Sequence, residues 1–250
     1  MLLTIILAVL LFCHLFFVIG VVKKNYAVMD IGWGIGFIMI ALIAYFHYPI
    51  SPRNALSLVL VTIWGLRLAI YLIKRNSGKP EDPRYNQYRK EWGKNANLHA
   101  YFKVYLFQGL LMFIIATPFI FGMKQEVKAM TVINYLGLAV WIMGIGFESY
   151  ADTYLSWYKK QPKFKGTICM SGPWRISRFP NYFGEISLWY GMYLLNFDLV
   201  TSWTIISPIV LSALIIKVTG IPFMEKKYKD NPEYQAYAAR VPRLIPFTKP

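Results

Sequence analysis

Seven apolar runs dominate the chain, at 2–22, 27–48, 55–73, 104–123, 132–157, 183–199 and 203–223. About 20 apolar residues is what an α-helix needs to cross the roughly 30 Å hydrocarbon core of a bilayer. In lipid the backbone must satisfy its own hydrogen bonds, and a long uninterrupted run does so by coiling into a helix. The sixth run is the shortest of the set. The first has no basic stretch ahead of it and no small-residue cleavage site, so it reads as a span stopped by Lys23-Lys24 and not as a removable leader. The expected fold is all-α: one polytopic membrane domain over 1–250 with seven transmembrane helices.

Charge then orients the bundle. Only 16% of residues are charged, against about 25% in soluble domains, yet 27 Lys and Arg stand against 12 Asp and Glu, a net +15. Such low charge density excludes a histone-like nucleic-acid binder and a disordered tail. Counted over alternate connections, one side of the membrane carries three Lys or Arg and the other twenty-two. By the positive-inside rule the N-terminus lies outside and the C-terminus in the cytoplasm. The cytoplasmic stretch 74–103, with Tyr85, Tyr88, Arg89 and Trp92, reads as an interfacial helix, and 224–243 as a polar, Tyr-rich helix after the last span. Membrane lipids are thus partners, and nucleic acid is not.

Cys13 and Cys169 cannot build a disulfide framework, and His14, His47 and His99 lack ligand spacing, so no metal is expected. Gly32, Gly34 and Gly36 alternate within an apolar helix and make no dinucleotide fingerprint. Polar residues inside spans say more, because burying them is costly and they face a bundle interior. They are Asp30, Arg67, the pair Glu148 and Asp152, and the pair Asn181 and Glu185. Each pair is spaced i,i+4 and shares a helix face. All six fall toward the cytoplasmic half, beside loops carrying Lys159, Lys160, Arg175 and Arg178. Carboxylates and an amide can bond ribose hydroxyls and a carboxamide, and arginines can fork onto phosphates. The plainer reading is that the polar groups pair off, for instance Asp30 with Arg67, and that the bases only set topology and attract anionic lipid.

Residues 171–191, Ser-Gly-Pro-Trp-Arg-Ile-Ser-Arg-Phe-Pro-Asn-Tyr-Phe-Gly-Glu-Ile-Ser-Leu-Trp-Tyr-Gly, resemble the C-terminal signature of the steroid 5-alpha reductase superfamily. Trp64-Gly65-Leu66-Arg67-Leu68, the run Arg75 to Tyr85, Asp30 to Gly34 and the ending Glu225, Tyr234, Tyr237, Ile245-Pro246 resemble its bacterial branch. The resemblance spans nearly the whole chain, with 171–250 as its reductase-like end. It implies a seven-helix enzyme of the bacterial inner membrane that uses NADPH to reduce a carbon–carbon double bond conjugated to a carbonyl. The substrate would be lipid-like: a steroid, a sterol or an enoyl lipid. Asn181 and Glu185 would contact the nicotinamide end. The implied cofactor-binding set is Arg67, Glu148, Asp152, Lys159, Arg175, Arg178, Asn181, Tyr182, Glu185, Glu225 and Tyr228. Glu148 departs from the Asn that the superfamily carries there.

The acid end departs further. Superfamily members polarise the substrate carbonyl with a Glu on the second helix and a Tyr on the third. Asp30 stands in for the Glu, Trp64 occupies the Tyr position, and Tyr71 lies seven residues on along the same face. A desolvated carboxyl such as Asp30 can stay protonated and act as the donor. Two other readings remain open. Arg178-Phe179-Pro180-Asn181-Tyr182 is similar to a stretch of membrane S-adenosylmethionine-dependent methyltransferases of the isoprenylcysteine and phospholipid type, without its His. A non-catalytic lipid-binding protein or transporter is the third.

Overall fold

Helices take up most of the described residues, 1–125, 129–200 and 202–249 of the computed structural model, and no strand forms among them. Helices α1 (Leu2–Val22), α2 (Val28–His47) and α3 (Pro52–Asn76) follow the first three apolar runs. Next come α4 (Pro83–Trp92), α5 (Ala96–Ala100), a wider π-type segment at Tyr101–Leu106, and α6 (Phe107–Lys124), in one helical stretch of 42 residues. The stretch expected to lie separately at 74–103 is therefore divided. It starts as the end of α3, and its later part leads without a break into the fourth span. The second half holds α7 (Val132–Lys160) and α8 (Pro180–Leu195). A stretch over Ser202–Tyr228 contains α9 (Ile206–Ala213), a π-type segment at Leu214–Val218 and α10 (Ile221–Tyr228). The Tyr-rich helix α11 (Pro232–Ala238) ends the series.

Local chemistry sets these boundaries. Ser51, Asp82 and Asn231 each accept a backbone N–H from the first turn that follows, and each is succeeded by a proline at the first helical position. Thr131 and Asn134 cap α7 reciprocally. Within α6, Pro118 frees the carbonyl of Ile114, and the Thr117 hydroxyl donates to that oxygen at 2.8 Å.

Six stretches are long and apolar enough to cross a bilayer: Leu2–Val22, Val28–His47, Pro52–Asn76, Pro83–Lys124, Val132–Lys160 and Ser202–Tyr228. The sixth apolar run is the exception. It folds as α8, whose 16 residues reach only about 24 Å at 1.5 Å each. Asn196 ends it by turning its amide back to the Met192 carbonyl at 3.0 Å. Helix α1 is apolar on both faces: Ile5, Val9, Phe12 and Cys13 are buried, while Leu3, Leu7, Leu11, Leu15, Val18 and Val22 form an exposed stripe. Water does not stabilise such an outer face; lipid does. The chain is an integral membrane protein.

The helices group into two compact units, Met1–Lys128 and Ala129–Pro250, where the sequence reading has one domain. The first unit packs α1, α2, α3 and α6 around Ile5, Phe12, Met29, Phe37, Trp64, Met112 and Phe119. In the second, α7 and α8 lie antiparallel with their backbones in contact at four glycines. A Cβ on Gly137 would sit 2.3 Å from the Leu195 nitrogen, and one on Gly144 2.6 Å from that of Leu188. One on Gly184 would sit 2.5 Å from the Glu148 nitrogen, and one on Gly191 2.5 Å from that of Trp141. Small residues permit this approach, which supplies the packing that holds helices together in lipid.

Candidate functional site

The glycine contacts fix the register of α7 against α8, and that register brings the two i,i+4 pairs together. Glu148 and Asp152 are buried on α7. Asn181, in the first turn of α8, donates its side-chain N–H to Asp152 Oδ1 at 3.4 Å. Glu148 meets α8 at Gly184, between Asn181 and Glu185, which is half-buried one turn along. Three acidic groups and an amide thus gather at the end of α7 that leads to the basic loop.

That loop is tied down from both sides. From α7, the Tyr154 hydroxyl donates to Ser171 Oγ at 2.9 Å and Tyr158 donates to the Ile168 carbonyl at 3.1 Å. Gly172 adopts φ +59°, and a Cβ there would strike the Tyr154 ring at 2.6 Å, so both conformation and space demand glycine. From the chain's end, Arg178 N–H donates to the Pro242 carbonyl (2.9 Å) and Ser177 Oγ to the Leu244 carbonyl (2.7 Å). Tyr237 donates its hydroxyl to the Trp174 carbonyl. Burial pushes the Tyr234 and Tyr237 phenols above their ordinary range, so both keep their protons at neutral pH.

The Arg178 guanidinium reaches Glu225 at 3.2 Å and the Tyr234 hydroxyl at 3.3 Å. Arg243 forks onto the same Glu225 carboxylate at 2.8 and 3.0 Å. Two arginines share one acid, leaving a net positive charge. Tyr228 stacks on Tyr234 at 5.4 Å, and Tyr182 stacks on Phe179 at 5.9 Å. Lys159 and Arg175 are exposed. Of the residues expected here, Glu148, Asp152 and Asn181 form one cluster, and Arg178, Glu225 and Tyr228 join a second through Tyr234. Glu225 serves as counter-ion to two arginines and not as a direct anion contact. Three buried polar atoms in this region have no partner among the described residues: Trp174 Nε1, Arg178 Nε and Asn181 Oδ1. Two donors and an acceptor left dry cost stability unless something else satisfies them.

The first unit holds a separate polar cluster. Asp30 accepts a bond from the Tyr85 hydroxyl at 2.7 Å on one oxygen and pairs with Arg84 at 3.1 Å on the other. Gln108 donates to the Tyr85 oxygen at 3.4 Å and accepts from Trp33 Nε1 at 2.5 Å. Arg84 also forks onto Asp82 at 2.9 and 3.1 Å. Burial opposes ionisation of Asp82, but the bonds and charge of Arg84 outweigh it and hold that carboxyl below its ordinary range. Both Asp30 oxygens are partnered, one by the Tyr85 hydroxyl and the other by Arg84. Trp64 is buried edge-on to Phe37 at 5.3 Å, Tyr71 lies under Arg75 at 5.7 Å, and Arg67 is half-buried on α3. Among the described residues no group of three or more His, Cys, Asp or Glu could hold a metal ion.

Sequence reasoning missed Gln108, Tyr85 as a site residue, and Arg243. Gln108 had a readable signal: it is the one amide in the fourth apolar run. A family model described as protein of unknown function (DUF1295) matches residues 16–241. The chain belongs to that family. No curated protein and no solved structure matches it. The DUF1295 match takes in every residue of both clusters except Arg243.

Proposed function

We propose that this DUF1295 protein is a membrane reductase that uses NADPH to saturate a carbon–carbon double bond conjugated to a carbonyl in a lipid-like substrate. The observation that carries the reading is the contact of Asn181 with Asp152, with the Asn181 carbonyl left dry beside it. An amide oxygen seeking a donor, flanked by carboxylates, suits the carboxamide and ribose of a nicotinamide nucleotide. Trp174 Nε1 and Arg178 Nε, both donors without acceptors, suit its phosphate oxygens. The residues present therefore fit the group. The association of the family with steroid 5-alpha reductase-like proteins agrees with this choice.

When bound, NADPH supplies a hydride. The chain's own part is to bind and to orient. Asp152 fixes the Asn181 amide, Glu148 and Glu185 offer acceptors, and Arg178, held by Tyr234, offers a directional donor. Within the first unit, taken by itself, the Tyr85 hydroxyl is set by Asp30 and Gln108. For topology, α8 is read as the seventh span, covered along one side by α7. The N-terminus then lies outside and the C-terminus in the cytoplasm of a bacterial inner membrane.

Isothermal titration of the purified protein with NADPH and with S-adenosylmethionine tests the reading. NADPH binding that weakens at least tenfold in Asn181→Ala is expected. Binding of S-adenosylmethionine alone would overturn the reductase in favour of a methyltransferase.

A further inference from the structure

A cavity of about 410 Å³ opens at the junction of α4 and α5, lined by Arg89, Lys90, Gly93, Lys94, Ala96 and Asn97. None of its lining belongs to either polar cluster described above. Gly93 turns the chain here at φ +52°, which sets Lys90 and Lys94 on opposite sides of the bend.

One wall is charge-compensated. The Arg89 guanidinium lies 3.7 Å over the Tyr26 ring and forks onto Glu81 at 3.0 and 3.2 Å. The Tyr26 hydroxyl donates to Asn97 at 2.5 Å. Lys90 and Lys94 are different: both are exposed, and no carboxylate among the described residues lies within ion-pair distance of either. Glu91, beside Lys90 in the chain, is bonded by Gln87. Two uncompensated cations therefore face one opening.

Immediately past the cavity the surface changes character. Tyr88 and Trp92 stack at 5.0 Å, and Lys103 lies 5.8 Å over the Trp92 ring. Beyond Lys94 the exposed side chains become largely apolar, with Leu98, Phe102 and Phe107 all exposed and Lys103 among them. Aromatic residues of this kind sit at the headgroup level of a bilayer. The change from Lys94 to Leu98 spans four residues, about 6 Å along a helix. Charge and greasy surface thus meet at the spacing of a phosphate and the top of an acyl chain.

We propose that the cavity at 89–97 holds the phosphate headgroup of an anionic phospholipid, with an acyl chain laid over Leu98 and Phe102. The lysines take the phosphate, and Asn97 and the Gly93 turn shape the floor. The binding does not depend on the reductase reading.

Native mass spectrometry of the detergent-purified full chain tests this with phosphatidylglycerol and phosphatidylcholine at low ionic strength. Wild type should retain phosphatidylglycerol in preference. A Lys near an anionic surface is worth about fivefold in binding, so Lys90→Gln with Lys94→Gln should lower phosphatidylglycerol retention about thirtyfold and phosphatidylcholine retention by less. Lys163→Gln with Lys165→Gln, equally exposed and of equal charge change, should behave as wild type. Thermal unfolding confirms that both double variants are folded. Equal retention by the Lys90/Lys94 variant and wild type overturns the proposal. So does displacement of the lipid by millimolar inorganic phosphate, which would make this a site for free phosphate.

Discussion

Replacing Gly184 with Ala should separate α7 from α8 and loosen the site between these two helices. The new Cβ would lie 2.5 Å from the Glu148 nitrogen, 2.6 Å from the Gly144 oxygen and 2.9 Å from the Glu148 Cα. All three are backbone atoms, so no side chain can swing away. Non-bonded carbon needs about 3.5 Å, and the helices must part by about 1 Å. Overpacking of this kind costs about 1–3 kcal/mol. The Asn181–Asp152 bond, already 3.4 Å long, passes out of range. Gly146→Ala on α7 is the control, since a Cβ there meets nothing within 4 Å. It should gain up to about 1 kcal/mol from helix propensity alone. Thermal unfolding in detergent and NADPH titration by tryptophan fluorescence would read both variants. If Gly184→Ala melts at or above Gly146→Ala, backbone contact at the glycines is not what holds this pair.

Tyr85→Phe removes the hydroxyl shared by Asp30 and Gln108 and should cost about 1–3 kcal/mol in unfolding free energy. Thermal unfolding in detergent reads that cost, and stability equal to wild type would mean that the hydroxyl does not link Asp30 to Gln108. Glu225→Gln leaves Arg178 and Arg243 without their common counter-ion. Fluorescence titration should show NADPH binding tighter by several-fold, and weaker binding would mean that Glu225 itself holds the nucleotide. Asp82 predicts an acid limb. Because its folded pKa lies below the ordinary 3.8, its stabilisation is whole above that value and is lost as pH falls through the lowered one. The limb should vanish in Asp82→Asn when stability is followed by circular dichroism.

What the sequence made legible was whatever depends on position along the chain. Apolar run length gave the first, second, third and fifth helices their extent, whereas the fourth and seventh runs lie inside longer helical stretches, Pro83–Lys124 and Ser202–Tyr228. It failed at the sixth because Pro180 and Asn196 set that helix's ends, and both lie outside what hydropathy measures. The cost of burying polar groups singled out Glu148, Asp152 and Asn181, and the two facing i,i+4 pairs bring Asn181 to Asp152 in the fold. Asp30 was found by the same cost, but its partners were not. Arg84 and Tyr85 lie 54 and 55 residues away, beyond any periodic rule. Gln108 escaped because it stands alone in its run, without the i,i+4 polar partner that marked Asn181, although an amide in lipid needs partners as a carboxylate does. Arg243 escaped in another way: only the folded chain's end brings it to Glu225.

The glycines of α7 and α8 explain why a polar cluster can exist at that place. In lipid, water does not drive helices together, so a helix bearing Glu148 and Asp152 gains little from a partner held at ordinary distance. Gly137 and Gly144 on α7, and Gly184 and Gly191 on α8, repeat every seven residues and remove the side chains that would keep the backbones apart. Dispersion along two bare backbones then supports the pairing, and the polar groups at its end need not. That frees Asn181 to leave one oxygen unbonded, which a pairing held by hydrogen bonds alone could not tolerate. Stability and ligand capacity are thus supplied by different residues of the same two helices. Substituting Asn181 or Glu185 should change binding with little loss of melting temperature, whereas substituting Gly144 or Gly184 should lower both together.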